Sequence, residues 1–414
     1  MSTMKPFAFI LAVSFLFQVY RDALGSGNLT QVTTIPAAAP SKAPIRNGTE
    51  ALQNMGIFSA SSFQCPRRNF THIHSKEGLK PFDHVFIFMM ENSGNDVILG
   101  NENMPFINLL IQHFGFAAEY YGITHTSLPN YIALTSGSNW WSHNDSTKQI
   151  FDHTCIADKL EEKGLGWKNY AQSIPYAGYK GSSSYPQNDS FVWLQEHVPF
   201  LFYPQIFQDP VRAANIPPLE ELEQDLYSCN VPEYVFISPD ICHDMHGGSD
   251  VCPAVTEYPN TPKKLAYCYN TKNTSKNCVN INNLWKAGDE FLREWIPKIV
   301  NSPSWTGNSV IIVTWDEANY NEELDVFTEG GPDTAYIYST NFSFADHSFL
   351  IDGYYGGGKV PLIVISRENP YHIVTYGKYN HYNLLKSIEA SYGLDYLGYT
   401  SDDRQVKVLH EFFV

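Results

Sequence analysis

Three apolar runs in this sequence stop abruptly at carboxylates. Val85–Met90 ends at Glu91-Asn92, Tyr234–Ser238 runs into Pro239-Asp240, and Ser309–Trp315 ends at Asp316-Glu317. Runs this short, without polar alternation, read as strands buried on both faces, as in a parallel sheet. Ligands of open α/β sheets bind beyond the carboxyl ends of the strands. Several carboxylates on that edge repel one another unless a cation neutralises them. Oxygens of Glu, Asp, Asn and Ser suit a hard divalent ion, and histidine widens the choice towards zinc and other transition metals.

Ser127 is the candidate nucleophile. Pro129 near the start and Gly137 near the end mark a helix over this stretch, which places Ser127 at its N-cap or just before it. A serine there is most often a cap, but the helix start also offers free N–H groups and a positive end to an anionic group under attack. No Gly-x-Ser-x-Gly elbow is present, which counts against an α/β-hydrolase esterase. Three histidines could bind a phosphate or protonate a leaving group: His243 and His246 after the second strand, and His381 at the start of a late amphipathic helix. Spacing does not choose between His243 and His246. His125 stands beside the serine and could bond to its loop.

The elements that must position these residues follow from the pattern. Pro105–Gln112 reads as a helix, residues 155–172 as a helix followed by a strand at Trp167–Tyr170, and residues 287–299 as a further helix. Val360–Ser366 supplies another strand. The proline-rich stretch 175–231 reads as a loop-rich lid over the strand ends, and its run Phe200-Leu201-Phe202-Tyr203 leaves an apolar rim open as a possibility.

Composition sets the outer limits. The chain has 414 residues, 43% hydrophobic and 17% charged, which is globular rather than disordered. A formal net charge of -16 argues against nucleic acid and anionic membranes as partners. Lys5 followed by the apolar stretch Phe7–Phe17 reads as a secretory signal peptide over residues 1–25, too short to span a membrane. Residues 26–62 are rich in Ser, Thr, Ala and Pro and read as a leader, with the catalytic domain over 63–414. Acceptor motifs for N-glycosylation begin at Asn28, Asn47, Asn69, Asn144, Asn188, Asn273 and Asn341, which fits a secreted, extracellular or wall-associated product. Seven cysteines imply disulfides with one thiol over. Cys242, Cys252, Cys268 and Cys278 staple a loop over about 240–280, while Cys65, Cys155 and Cys229 are scattered.

Four motifs resemble those of the phosphoesterase family. They are Met89-Met90-Glu91-Asn92-Ser93, Thr124–Tyr131, Thr314-Trp315-Asp316-Glu317-Ala318-Asn319 and Asn380–Glu389. That family holds secreted acid phosphatases and bacterial phospholipases C within the alkaline-phosphatase superfamily, and the motifs occur here in its order from about residue 82 to 400. The resemblance implies a three-layer α/β/α sandwich around a mostly parallel sheet. It implies Glu91, Asn92, Ser127, Asp316 and Glu317 as ligands of a divalent metal of unknown identity, with Ser127 taking up the phosphoryl group. His381 and a histidine of the Asp240–His246 segment, with His246 preferred, would contact the phosphate. His125, Asn130, Asp240 and His243 are the remaining candidates for substrate contact. The expected activity is hydrolysis of a small phosphomonoester, as in an acid phosphatase. The alternatives are a phospholipase C or other phosphodiesterase and, less favoured, a non-catalytic secreted binding protein.

Overall fold

The computed structural model describes residues 63–181, 192–246, 252, 266–268, 278–318 and 356–413. The signal peptide, the leader and the acceptor sites Asn28, Asn47, Asn188, Asn273 and Asn341 lie outside the described residues. Asn69 is exposed and Asn144 partly buried.

Strand β1, Val85–Met90, shows why its sequence lacks alternation: all of its side chains are fully buried, because both faces of the sheet are covered. Burying each such side chain is worth about 1.5–3 kcal/mol relative to leaving it exposed. After β1 come α1 (Pro105–His113), β2 (Gly115–Tyr121), α2 (Ser127–Ser136), α3 (Ile156–Glu162) and β3 (Trp167–Ala171). Then follow α4 (Glu221–Ser228), β4 (Tyr234–Ser238), α5 (Ile281–Val300), β5 (Val310–Trp315), β6 (Lys359–Ser366), β7 (Val374–Asn380) and α6 (His381–Ser391). The strands form one seven-stranded sheet in the order β3-β4-β1-β5-β6-β2-β7.

Only β6 runs against its neighbours. The other pairings are parallel, so β1, β2, β4 and β5 all end on one edge. Phe236 of β4 lies beside Ile87 and meets Tyr131 of α2 at 6.0 Å between ring centroids. Phe88, the next residue of β1, faces the other way and meets Phe291 of α5 at 6.2 Å. Helices α2 and α5 therefore cover opposite faces, with α6 packed on α2 and α1 on α5. This is the expected three-layer arrangement.

Two strands of the seven-stranded sheet escape the sequence reading. In β2 the Gly115 start, the Ala117-Ala118 pair and a register shift between Ala117 and Tyr120 weaken the strand pattern. Strand β7 is an edge strand carrying Gly377 and polar residues. Helix α5 starts earlier than residue 287, because the Asn280 side chain accepts the N–H of Asn282 at 3.1 Å and caps it. Helix α2 ends at Gly137, whose φ of 76° is left-handed and whose missing Cβ would collide with the Leu397 carbonyl.

Within the stretch 175–231, Tyr176 and Val211 are exposed while the apolar run turns inward. Phe200, Leu201, Phe202 and Tyr203 are fully buried, and Phe200 packs on Trp167 at 4.7 Å between ring centroids. The apolar run therefore builds core and offers no rim. One disulfide joins Cys65 to Cys229 and a second Cys242 to Cys252; Cys155 is a buried free thiol. Cys268 and Cys278 are register partners in a short antiparallel hairpin. Among the described residues no helix is long and apolar enough to cross a membrane.

Candidate active site

The site is built where two adjacent strand tips meet a helix start. Met90 of β1 and Trp315 of β5 are paired in register, so Glu91 and Asp316 emerge side by side. Both carboxyl groups are fully buried. The chain turns at Asn92 with φ 28°, a left-handed conformation that asparagine tolerates better than most residues. That turn sends the Asn92 N–H to Asp316 Oδ1 at 3.0 Å and its side-chain amide to Glu317 Oε1 at 3.0 Å.

Ser127 is the first residue of α2, with Thr126 at the N-cap, one position further into the helix than expected. Its Oγ donates to Glu91 Oε2 at 2.9 Å and lies 3.4 Å from Asn92 Oδ1. The five residues named as metal ligands, Glu91, Asn92, Ser127, Asp316 and Glu317, thus share one hydrogen-bonded network. Of the donors at the helix start, the Leu128 N–H is already taken by Asp145 Oδ1 at 2.9 Å, which also accepts from the Thr126 hydroxyl at 2.8 Å.

Burial pushes the Glu91 carboxyl well above the ordinary range, and Asp316 and Asp244 push it further. Asp316 is raised in the same direction, by burial first and then by Glu317. Among the described residues neither Glu91 nor Asp316 pairs with a lysine or arginine; Glu91 meets His197 at 3.3 Å. Asp316 Oδ2 is buried with no hydrogen-bond partner among those residues. Crowded, buried carboxylates with an orphaned oxygen and hydroxyl and amide oxygens at hand are the donor set of a hard cation, so these residues fit a divalent ion. Among the described residues no three His, Cys, Asp or Glu side chains form a ready coordination cage. The fit therefore leans on the Ser127 and Asn92 oxygens.

The histidines divide. His246 joins the network, with Nε2 3.4 Å from the Asn92 amide nitrogen. His125 pairs through Nδ1 with Glu317. His381 departs from its expected role. It is fully buried, with Nε2 2.6 Å from the backbone carbonyl of Asp316 and Nδ1 2.9 Å from the Tyr120 hydroxyl. Burial lowers its pKa to about 4, so the neutral ring donates to the carbonyl and accepts from the tyrosine. Both nitrogens are used, and His381 buttresses Asp316 instead of reaching a phosphate.

Asn130 is likewise a strut. Its Oδ1 accepts from the N–H groups of Ile123 and Thr124, and its Nδ2 donates to the carbonyls of Thr124 and Thr126. Every polar atom of that amide is committed to the loop before Ser127, which leaves nothing for substrate. Asp240 and His243 pair with each other at 2.8 Å, and Asp240 also accepts from Ser173 at 2.6 Å. Neither is hydrogen-bonded to Ser127, Glu91 or Asp316. The same loop instead delivers Asp244, whose carbonyl accepts the Glu91 N–H at 2.8 Å.

Sequence reasoning missed Tyr131, His197 and Asp244. Tyr131 was accessible, since it sits four residues after Ser127 and so on the same helix face. His197, in a short helical turn far from every motif, gave no signal.

The chain belongs to the phosphoesterase family, whose model matches residues 99–274 and 278–395. It is 23% identical over 336 residues to an acid phosphatase of Aspergillus fumigatus, covering 80% of this chain and 59% of that protein. It is also 23% identical over 342 residues to a phosphatidylinositol-3-phosphatase of Mycobacterium tuberculosis, covering 78% of this chain and 81% of that one. Among solved structures, the phosphonate monoester hydrolase of Agrobacterium radiobacter aligns with a TM-score of 0.45 at 11% identity, covering 80% of this chain and 77% of that one.

Proposed function

We propose that this protein is an exported, metal-dependent hydrolase of phosphoric esters, acting on monoesters through a phosphoserine at Ser127. The observation that carries this reading is the placement of the Ser127 hydroxyl at a helix start, 2.9 Å from Glu91 Oε2 and beside Asn92. Family membership and the acid phosphatase relatives support the reaction class. The disulfides support export, since they persist in oxidising compartments.

Uncatalysed monoester hydrolysis is so slow that enhancements reach ~10²¹, so charge stabilisation must dominate. A divalent ion held by Glu91, Asn92, Ser127, Asp316 and Glu317 would supply Lewis-acid stabilisation of the phosphoryl oxygens and a more acidic serine hydroxyl. The chain's own residues do the rest. Glu91 orients the hydroxyl for in-line attack. The serine proton passes to Glu91 Oε2 as the Oγ–P bond forms and the P–O bond to the alcohol breaks. The departing alkoxide takes a proton from solvent, while His246, kept neutral by burial, is placed beside Asn92 to contact the phosphoryl group. Water then cleaves the phosphoserine and releases phosphate, restoring the hydroxyl.

The deciding experiment compares wild type with Ser127→Ala on an aryl phosphate, with acid quenching to trap phosphoserine. Loss of both turnover and label, with an unchanged circular dichroism spectrum, supports the reading. Undiminished turnover in the variant overturns it. Running the matching aryl diester and a phospholipid alongside separates a monoesterase from a phosphodiesterase or phospholipase C.

A further inference from the structure

Glu91 Oε1 is flanked by two side chains that the proposed chemistry does not use. Tyr131 donates its hydroxyl to Oε1, and His197 Nε2 stands 3.3 Å from the same oxygen. Oε2 is left to Ser127. Ser127 and Tyr131 are one turn apart on α2, so a single helix face reaches both oxygens of one carboxylate. The imidazole of His197 lies parallel to the Tyr131 ring, 1° between planes and 5.6 Å between centroids. Its Nδ1 faces Asp244 Oδ2 at 3.8 Å. All five of these residues are buried, and Tyr131, Glu91 and Asp244 are fully so.

Resting on the reading of Ser127 as nucleophile, we propose that Tyr131 and His197 are positioning residues that occupy Oε1 of Glu91, so that Oε2 alone faces the serine hydroxyl. The carboxylate of a glutamate turns about its last torsion, χ3, and can present either oxygen. The Tyr131 hydrogen bond on Oε1, with the His197 ring packed 3.3 Å from the same oxygen, removes that freedom. The ring stack prevents Tyr131 from swinging away, since its face is covered by His197. Partners that orient a reactive or ligating carboxylate typically account for about 10- to 100-fold in activity or metal affinity when removed.

The test uses the full-length protein with Tyr131→Phe, His197→Leu, His197→Gln and Ser127→Ala. Each is measured for kcat and KM on an aryl phosphate, for binding of Zn²⁺ or Mn²⁺ by equilibrium dialysis, and for melting temperature. The expected result is that Tyr131→Phe, which keeps the ring and loses only the hydroxyl, lowers kcat or metal affinity by about 10- to 100-fold. Its KM should stay near wild type, with the melting temperature lowered only by the loss of one buried hydrogen bond. His197→Gln, which keeps a polar nitrogen near the position of Nε2, should recover most of what His197→Leu loses. If Tyr131→Phe and His197→Leu match wild type in kcat and metal binding while Ser127→Ala is inactive, the positioning role is wrong and the nucleophile stands. If Ser127→Ala is active as well, both fall together.

Discussion

His381 Nε2 lies 2.6 Å from the backbone carbonyl of Asp316, although 65 residues separate the two in the chain. The contact ties the start of α6 to the tip of β5 and holds the carboxylate-bearing turn from behind. His381→Ala should therefore strand the Asp316 carbonyl and the Tyr120 hydroxyl, costing about 1–3 kcal/mol for each buried group left unsatisfied. A lower urea midpoint together with reduced turnover is expected. Tyr120→Phe, which removes one of the two bonds, should fall between this variant and wild type. A His381→Ala protein of normal stability, inactive only through a raised KM for phosphate esters, would instead restore His381 to the phosphate.

Removal of the metal should act on stability as well as activity. Glu91 and Asp316 repel each other inside the protein, so a divalent ion should raise the melting temperature of chelated wild type. The gain is about 2.7 kcal/mol when the free ion is at a hundred times its Kd. Asp316→Asn should be inactive yet more stable than wild type in chelator, because one of the repelling charges is gone. Scanning calorimetry with and without ethylenediaminetetraacetate decides. Activity indifferent to chelator, with no shift on adding Zn²⁺, Mn²⁺, Mg²⁺ or Ca²⁺, would remove the metal from the mechanism.

Away from the site, Glu389 of α6 sets a pH dependence. It is fully buried, its Oε1 accepts the Leu397 N–H at 3.0 Å, and burial raises its pKa from 4.5 to about 8. The unfolded chain ionises above 4.5 while the folded protein keeps the proton until about 8. The folded state thus binds more protons across that window, and stability falls as pH rises through it. Glu389→Gln should flatten this slope, leaving the variant more stable than wild type at alkaline pH by a few kcal/mol. Urea titrations at acidic and alkaline pH test the sign.

The Cys65–Cys229 bridge closes a sequence separation of 164 residues and ties the start of the described chain to the end of α4. Replacing both cysteines by alanine should cost about 2–5 kcal/mol, chiefly by freeing the unfolded chain. Cys155, buried and with its thiol pKa raised by burial, should resist alkylation until the protein unfolds. Mass mapping after native and denatured labelling reads both. Fast native labelling of Cys155 would contradict its burial.

The sequence by itself determined the strand tips and the helix start. A buried strand must be apolar throughout, so the carboxylates at Glu91 and Asp316 stood out against Val85–Met90 and Ser309–Trp315. Pro129 and Gly137 framed the helix that presents Ser127. The Oε1 contacts of Glu91 were a different matter. His197 comes from a turn with no motif of its own, and only the packing of Phe200 and its neighbours into the core brings it there. The tertiary structure alone decided which neighbours each polar group meets: His246 reached the network, Asn130 spent its polar atoms on backbone groups, and His381 divided its two nitrogens between the Asp316 carbonyl and the Tyr120 hydroxyl. The physical reason is that a side chain's type limits the bonds it can make, whereas its buried neighbours decide which of those bonds are already taken.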